Sequence, residues 1–213
     1  KNQFGVTPQY DLRGSITQFD EEVIKRDVGV GAFLGSVFGA RAGRSAQANV
    51  LGFDASVITV PDLTVVLDLD PGEGAGLDEC VEVALIVKEI LDGVGLRSVP
   101  VTSGSKGLHL YAGLDGHLTT REASEFARQL AVALEGSHPD LVVSDMKKVL
   151  RPGKVLLDWS QNNGAKTTVA PYSLRGRAHP HVAAPRTWDE IRPGLVHLTY
   201  AEVLERLESL GDP

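Results

Sequence analysis

Asp68 and Asp70 stand at i and i+2 at the end of an apolar run, Thr64–Leu69. On a strand, side chains alternate, so both carboxylates leave the same face. Two like charges that close repel one another unless a cation lies between them. A hard divalent ion with oxygen ligands answers that need, and Mg²⁺ or Mn²⁺ suits it better than zinc. The other reading is a solvent-facing strand end running into a turn, since Asp70-Pro71-Gly72 is also good turn chemistry. Asp158 lies within Val155–Trp159, an otherwise apolar strand, where a carboxylate is costly to bury unless paired or bound to metal. Three aspartates brought to one sheet edge would form the acidic cluster of a two-metal phosphoryl-transfer site. Thr102–Tyr111 (TSGSKGLHLY) adds a candidate phosphate loop. Gly104 and Gly107 allow close backbone approach, and Ser103, Ser105 and Lys106 offer donors. The loop lacks the order of a Walker A motif. His109 follows it on a strand, where it reads either as a packed histidine or as a triphosphate contact.

The elements that must carry these groups are legible in outline. Thr64–Leu69 is β-branched and apolar and bounded by turn residues, which predicts a buried strand. Val83, Val87, Ile90 and Val94 recur at a helical period over 78–94, and Gly95 follows as a stop. Val99–Val101 and Leu108–Ala112 read as short strands around the Ser/Gly turn. Thr119 and Glu122 form a capping box for a helix to about Glu135, and Thr199 and Glu202 form another for a last helix ending near Gly211. Leu141–Ser144, Lys154–Ser160 and Thr167–Pro171 are expected to be strands. Helices alternating with strands that include hairpins predict a mixed-sheet α/β or α+β domain.

The 213 residues are of ordinary globular composition, 42% hydrophobic and 23% charged, which excludes disordered and fibrous classes. No apolar run reaches the length of a membrane helix, and no secretion signal opens the chain. The single cysteine, Cys80, excludes an internal disulfide and fits a reducing compartment. The net charge of −7 argues against a general polyanion binder, but it hides an asymmetry. Met146–Arg186 holds eight Lys/Arg against one acid, Asp158, so that window carries +7 and the rest of the chain −14. This suggests a local phosphate site, or else a solvated basic face. Residues 1–61 read poorly in either period, with Gly31, Gly35, Gly39 and Gly43 spaced by four, and form an unassigned segment ahead of a catalytic domain over 62–213.

The runs VVLDLDPGEG, VTSGSKGLHLY and MKKVLRPGKVLLDWSQNNGAKTTVAPYSLRGR, in that order, closely resemble the polymerase domain of bacterial ATP-dependent DNA ligase D, of the archaeo-eukaryotic primase superfamily. The resemblance runs from about Asp62 to Leu210. It implies a mixed-sheet primase-polymerase core with an RNA-recognition-like arrangement of strands and helices. It implies that Asp68, Asp70 and Asp158 bind Mn²⁺ or Mg²⁺, and that Ser103, Lys106 and His109 line the triphosphate site. Arg151, Gln161, Arg175 and Lys148 become further nucleotide contacts. The implied activity is addition of nucleotides, ribonucleotides preferred, to a 3′-hydroxyl at a DNA end or gap during non-homologous end joining. The implied partners are nucleoside triphosphates, DNA, ligase and nuclease domains of the same polypeptide, and the Ku end-binding protein, in the bacterial cytoplasm. Residues 1–60 do not match the family's template-binding and 5′-phosphate-binding segment. The alternatives are therefore a weakened nucleotide or DNA-end binding module, and a metal-dependent phosphohydrolase using the same aspartates.

Overall fold

The computed structural model describes residues 64–114, 118–176 and 178–212. The segment 1–61, its glycine pattern, the boundary at Asp62 and Arg177 of the basic window lie outside the described residues. A six-stranded sheet runs in the order β4-β5-β1-β3-β2-β6. Its strands are β1 (Thr64–Pro71), β2 (Ser98–Thr102), β3 (Leu108–Gly113), β4 (Val142–Val143), β5 (Val155–Asp158) and β6 (Ala184–Pro185). The β4–β5 pair is parallel and all other pairs are antiparallel, so the expected mixed-sheet α/β class is what the chain forms.

Alternation along the strands divides the sheet into two faces. Val65, Leu67 and Leu69 of β1, Leu108, Leu110 and Ala112 of β3, and Val155 and Leu157 of β5 point into the main core. Helices α1 (Leu77–Gly93) and α2 (Thr120–Ser137) close that core, α1 through Cys80, Val83, Ala84, Val87 and Leu91, and α2 through Phe126, Ala127, Leu130 and Leu134. Each fully buried Leu or Phe here contributes about 1.5–3 kcal/mol of transfer free energy. Both predicted capping boxes form. The Glu122 carboxylate accepts the Thr119 N–H at 2.9 Å, and Glu202 accepts the Thr199 N–H at 2.7 Å at the start of α3 (Tyr200–Leu210). Helix α3 buries Val203 in a separate small cluster with Val182 and Ala184.

Thr167–Pro171 is not a strand. The segment crosses the face opposite the core, where the Val169 carbonyl accepts from the Tyr111 hydroxyl at 2.9 Å, so it meets a side chain instead of a strand edge. The Lys154–Ser160 strand is also shorter than expected. It stops at Asp158 and turns into a 3-10 turn, Trp159–Asn162.

Candidate active site

On the face away from α1 and α2, the ladder sets three polar side chains side by side. Asp68 pairs with Asp158 across β1/β5 and with His109 across β1/β3. The row Asp158–Asp68–His109 therefore spans three neighbouring strands, and all three residues are buried, at 8%, 7% and 6% exposure. Asp70, two residues further along β1, belongs to the same face at its exposed end. Desolvation first, and then the charges of Asp68 and Asp158, push the Asp70 carboxyl above its ordinary range, against the opposing pull of His109 and Arg151.

Each carboxylate has neighbours. His109 Nε2 stands 3.3 Å from Asp68 Oδ1, and its Nδ1 is 3.3 Å from the Tyr111 hydroxyl. The Gln161 amide nitrogen bridges Asp68 Oδ2 at 3.3 Å and Asp158 Oδ2 at 3.4 Å. Asp158 Oδ1 accepts the Ser160 N–H at 2.8 Å and the Ser160 hydroxyl, while Lys166 Nζ lies 3.6 Å from Oδ2.

The loop between β2 and β3 is organised by Ser103. Its Oγ accepts the N–H groups of Ser105, Lys106 and Gly107 at 3.2, 3.3 and 3.1 Å. Gly104 has φ +67°, and a Cβ there would sit 2.8 Å from Arg175 Cγ, so Arg175 lies against the loop. A Cβ on Gly107 would lie 1.8 Å from the Leu69 carbonyl oxygen, which fixes the loop's exit against the end of β1. The Lys106 side chain is exposed. Arg151 packs its backbone against Gly72, its guanidinium donates to the Met146 carbonyl, and Lys148 stands exposed on the 3-10 turn just before it.

The sequence-predicted aspartates, His109 and Gln161 thus come together, with the Ser103–Gly107 loop opening at the same end of β1 and β3. Sequence reasoning missed Tyr111, Ser160, Asn162 and Lys166. Tyr111 was visible as the i+2 neighbour of His109 on a strand. Lys166 was counted only as part of the basic window.

Oxygen donors of this kind suit a hard divalent cation. Two buried oxygens at the site, Asp68 Oδ1 in the row and Gln161 Oε1 on the turn beside it, accept no hydrogen bond, and an electropositive ligand would satisfy them. Among the described residues no three His, Cys, Asp or Glu side chains are drawn together closely enough to hold an ion as they stand. Around the carboxylates, Lys166 supplies a positive charge beside Asp158 and the neutral Gln161 amide donates hydrogen bonds to Asp68 and Asp158.

A buried carboxylate row thus lies beside a Ser/Gly/Lys loop on a mixed sheet. The chain matches the family described as LigD, primase-polymerase domain, over residues 42–213, a stretch that begins ahead of Asp62, and it belongs to that family. It is 56% identical over 153 residues to the multifunctional non-homologous end joining protein LigD of Mycolicibacterium smegmatis, covering 71% of this chain and 20% of that one. It is 33% identical over 152 residues to the bifunctional LigD of Bacillus subtilis, covering 70% and 25%. The chain thus spans about a fifth to a quarter of the length of these relatives. Among solved structures it resembles the polymerase domain of Mycobacterium tuberculosis ligase D in complex with DNA, with a TM-score of 0.69 and 55% identity over 71% of this chain and 53% of that one. Among the described residues no helix is long and apolar enough to cross a membrane.

Proposed function

We propose that this chain carries the catalytic centre of a template-directed nucleotidyltransferase that fills DNA ends and gaps in non-homologous end joining. The observation that carries the reading is the Asp158–Asp68–His109 row, with Asp70 beside it and the Ser103–Gly107 loop at its end, in a chain 55% identical to a DNA-bound ligase D polymerase domain. Asp68, Asp70 and Asp158 would hold Mn²⁺ or Mg²⁺, which when bound lowers the pKa of an attacking hydroxyl and offsets charge on the transferred phosphoryl group. Lys106, Arg151 and Arg175, with Lys148 nearby, neutralise the triphosphate, the arginines with bidentate geometry available. Ser103 shapes the loop. His109 orients the Asp68 carboxylate and faces the nucleotide, and Gln161 reaches into the same space. Ribonucleotides are the preferred substrates, DNA ends or gaps the acceptor, and the cytoplasm the compartment. Ku and the ligase and nuclease domains of a longer polypeptide are the partners.

The test is extension of a labelled primer on gapped duplex with Mn²⁺, comparing ribonucleotides and deoxynucleotides. Extension supports the reading. Phosphate release without extension identifies a phosphohydrolase, and nucleotide binding with neither product identifies a binding module; either result refutes the proposal.

A further inference from the structure

Strand β5 ends at Asp158, opposite Asp68, so the β1/β5 ladder covers only Asp68–Pro71. Val66 lies two residues before Asp68, on the same edge of β1, and its N–H and C=O point where β5 no longer runs. A buried backbone pair left there would be costly. The side chain of Asn162 fills the gap. Its Oδ1 accepts the Val66 N–H at 2.8 Å and its Nδ2 donates to the Val66 C=O at 2.8 Å. The same Nδ2 donates to the Trp159 C=O at 2.9 Å, which closes the 3-10 turn on itself. Asn162 is 4% exposed, and both donors and the acceptor of its amide are engaged. One carboxamide thus continues the strand ladder by another rung after the backbone has turned away.

That rung lies directly behind the carboxylate row. The turn it anchors starts at Asp158 and carries Gln161, whose amide sits between Asp68 and Asp158. Resting on the polymerase reading above, we infer that Asn162 is a positioning residue. It hooks the Trp159–Asn162 turn onto the edge of β1 and so holds Asp158 in register with Asp68 and Gln161 between them. It touches neither substrate nor the reacting atoms. Its chemistry is specific to a carboxamide, because Val66 presents a donor and an acceptor side by side. Aspartate has the same size and keeps the acceptor. It would, however, set an anionic oxygen against the Val66 and Trp159 carbonyls.

The experiment compares the full chain with Asn162→Ala and Asn162→Asp, each first checked for cooperative unfolding. Three readouts follow: amide exchange of Val66, Mn²⁺ affinity measured with the metal alone, and the split between kcat and KM for nucleotide in primer extension. Val66 N–H is expected to be protected in the wild type and to exchange at least tenfold faster in the variants. Mn²⁺ affinity is expected to fall at least fivefold and kcat at least tenfold, with KM for nucleotide within twofold. Unprotected Val66 in the wild type overturns the inference, even if neither variant folds. So does faster exchange in a folded variant with Mn²⁺ affinity and kcat within twofold of wild type. A wild type that never extends primers overturns the polymerase reading instead, while exchange and Mn²⁺ affinity still decide the role of Asn162.

Discussion

Gly107 and Gly113 sit at opposite ends of β3, and the same substitution at each should have opposite outcomes. A Cβ on Gly107 would stand 1.8 Å from the Leu69 carbonyl oxygen, 3.0 Å from its carbon and 3.1 Å from Pro71 Cδ. A Cβ on Gly113 would meet nothing within 4 Å. Relieving a 1.8 Å approach to an ordinary carbon–oxygen contact requires a backbone shift of more than an ångström. The atom struck is main chain in a buried ladder, so no side-chain rotation relieves it. Overpacking costs about 1–3 kcal/mol when side chains can adjust; with backbone on both sides the expected cost for Gly107→Ala is about 3 kcal/mol or more. In a domain of this size that lowers Tm by about 6–12 °C. Gly113→Ala should lie within about 0.5 kcal/mol of wild type. The displaced stretch includes Leu69 and Asp70 on one side and the Gly107 N–H to Ser103 bond on the other, so nucleotide affinity should fall with stability. The assay is urea denaturation of both variants with nucleotide titration. Equal midpoints and equal affinities would refute the claim that space, rather than loop flexibility, requires glycine at position 107.

Asp70→Asn removes a carboxylate that partial desolvation by its surroundings and two like charges hold above its usual range. Because the folded-state value is raised, the contribution of Asp70 to stability is present at low pH and lost as pH rises through the folded value. The variant should therefore melt higher than wild type at pH 7 while losing primer extension by about 10²-fold or more. Lys106→Ala and Arg175→Ala should each raise KM for nucleotide about 10–100-fold, the equivalent of about 1.5–3 kcal/mol, with DNA affinity unchanged in a gel-shift titration. Burial first, then the charge of His181, depresses His197 to about 4. The neutral ring is favoured in the fold, so stability present above about pH 6.5 is lost as pH falls toward about 4. The loss should be roughly 2 kcal/mol, discounted because the ring is only partly buried, and His197→Gln should flatten that limb of a stability–pH curve.

The helices were legible because their signals are local. Thr119/Glu122 and Thr199/Glu202 are capping boxes three residues apart, and both form as read. The pair Asp68/Asp70 was legible for the same reason, since strand alternation needs only neighbours. The meeting of Asp158 with Asp68 was not, because it depends on β5 pairing with a strand some ninety residues earlier in the chain. Thr167–Pro171 has strand-like composition, but the segment crosses the sheet, where its Val169 carbonyl accepts from the Tyr111 hydroxyl, a contact no local pattern reveals. The two-residue strand Ala184–Pro185 is too short for any period to show. Asn162 beside Asn163-Gly164 reads as turn chemistry, and nothing in one dimension tells a turn asparagine from one that replaces a strand.

The Ser103 hydroxyl has a consequence for how the loop chooses what it holds. Its oxygen already accepts three backbone N–H groups at 3.1–3.3 Å, so the loop serves as its own ligand. A guest that takes those donors performs an exchange, and its gain is only the difference between its oxygen and the hydroxyl it displaces. For a neutral oxygen that difference is near zero. For an anionic oxygen, bonds of about 1.5–3 kcal/mol replace bonds of about 0.5–1.5 kcal/mol, so the gain is about 1 kcal/mol or more per donor. Because one side-chain rotation would release all three donors together, the arrangement favours an anionic oxygen over a neutral hydroxyl.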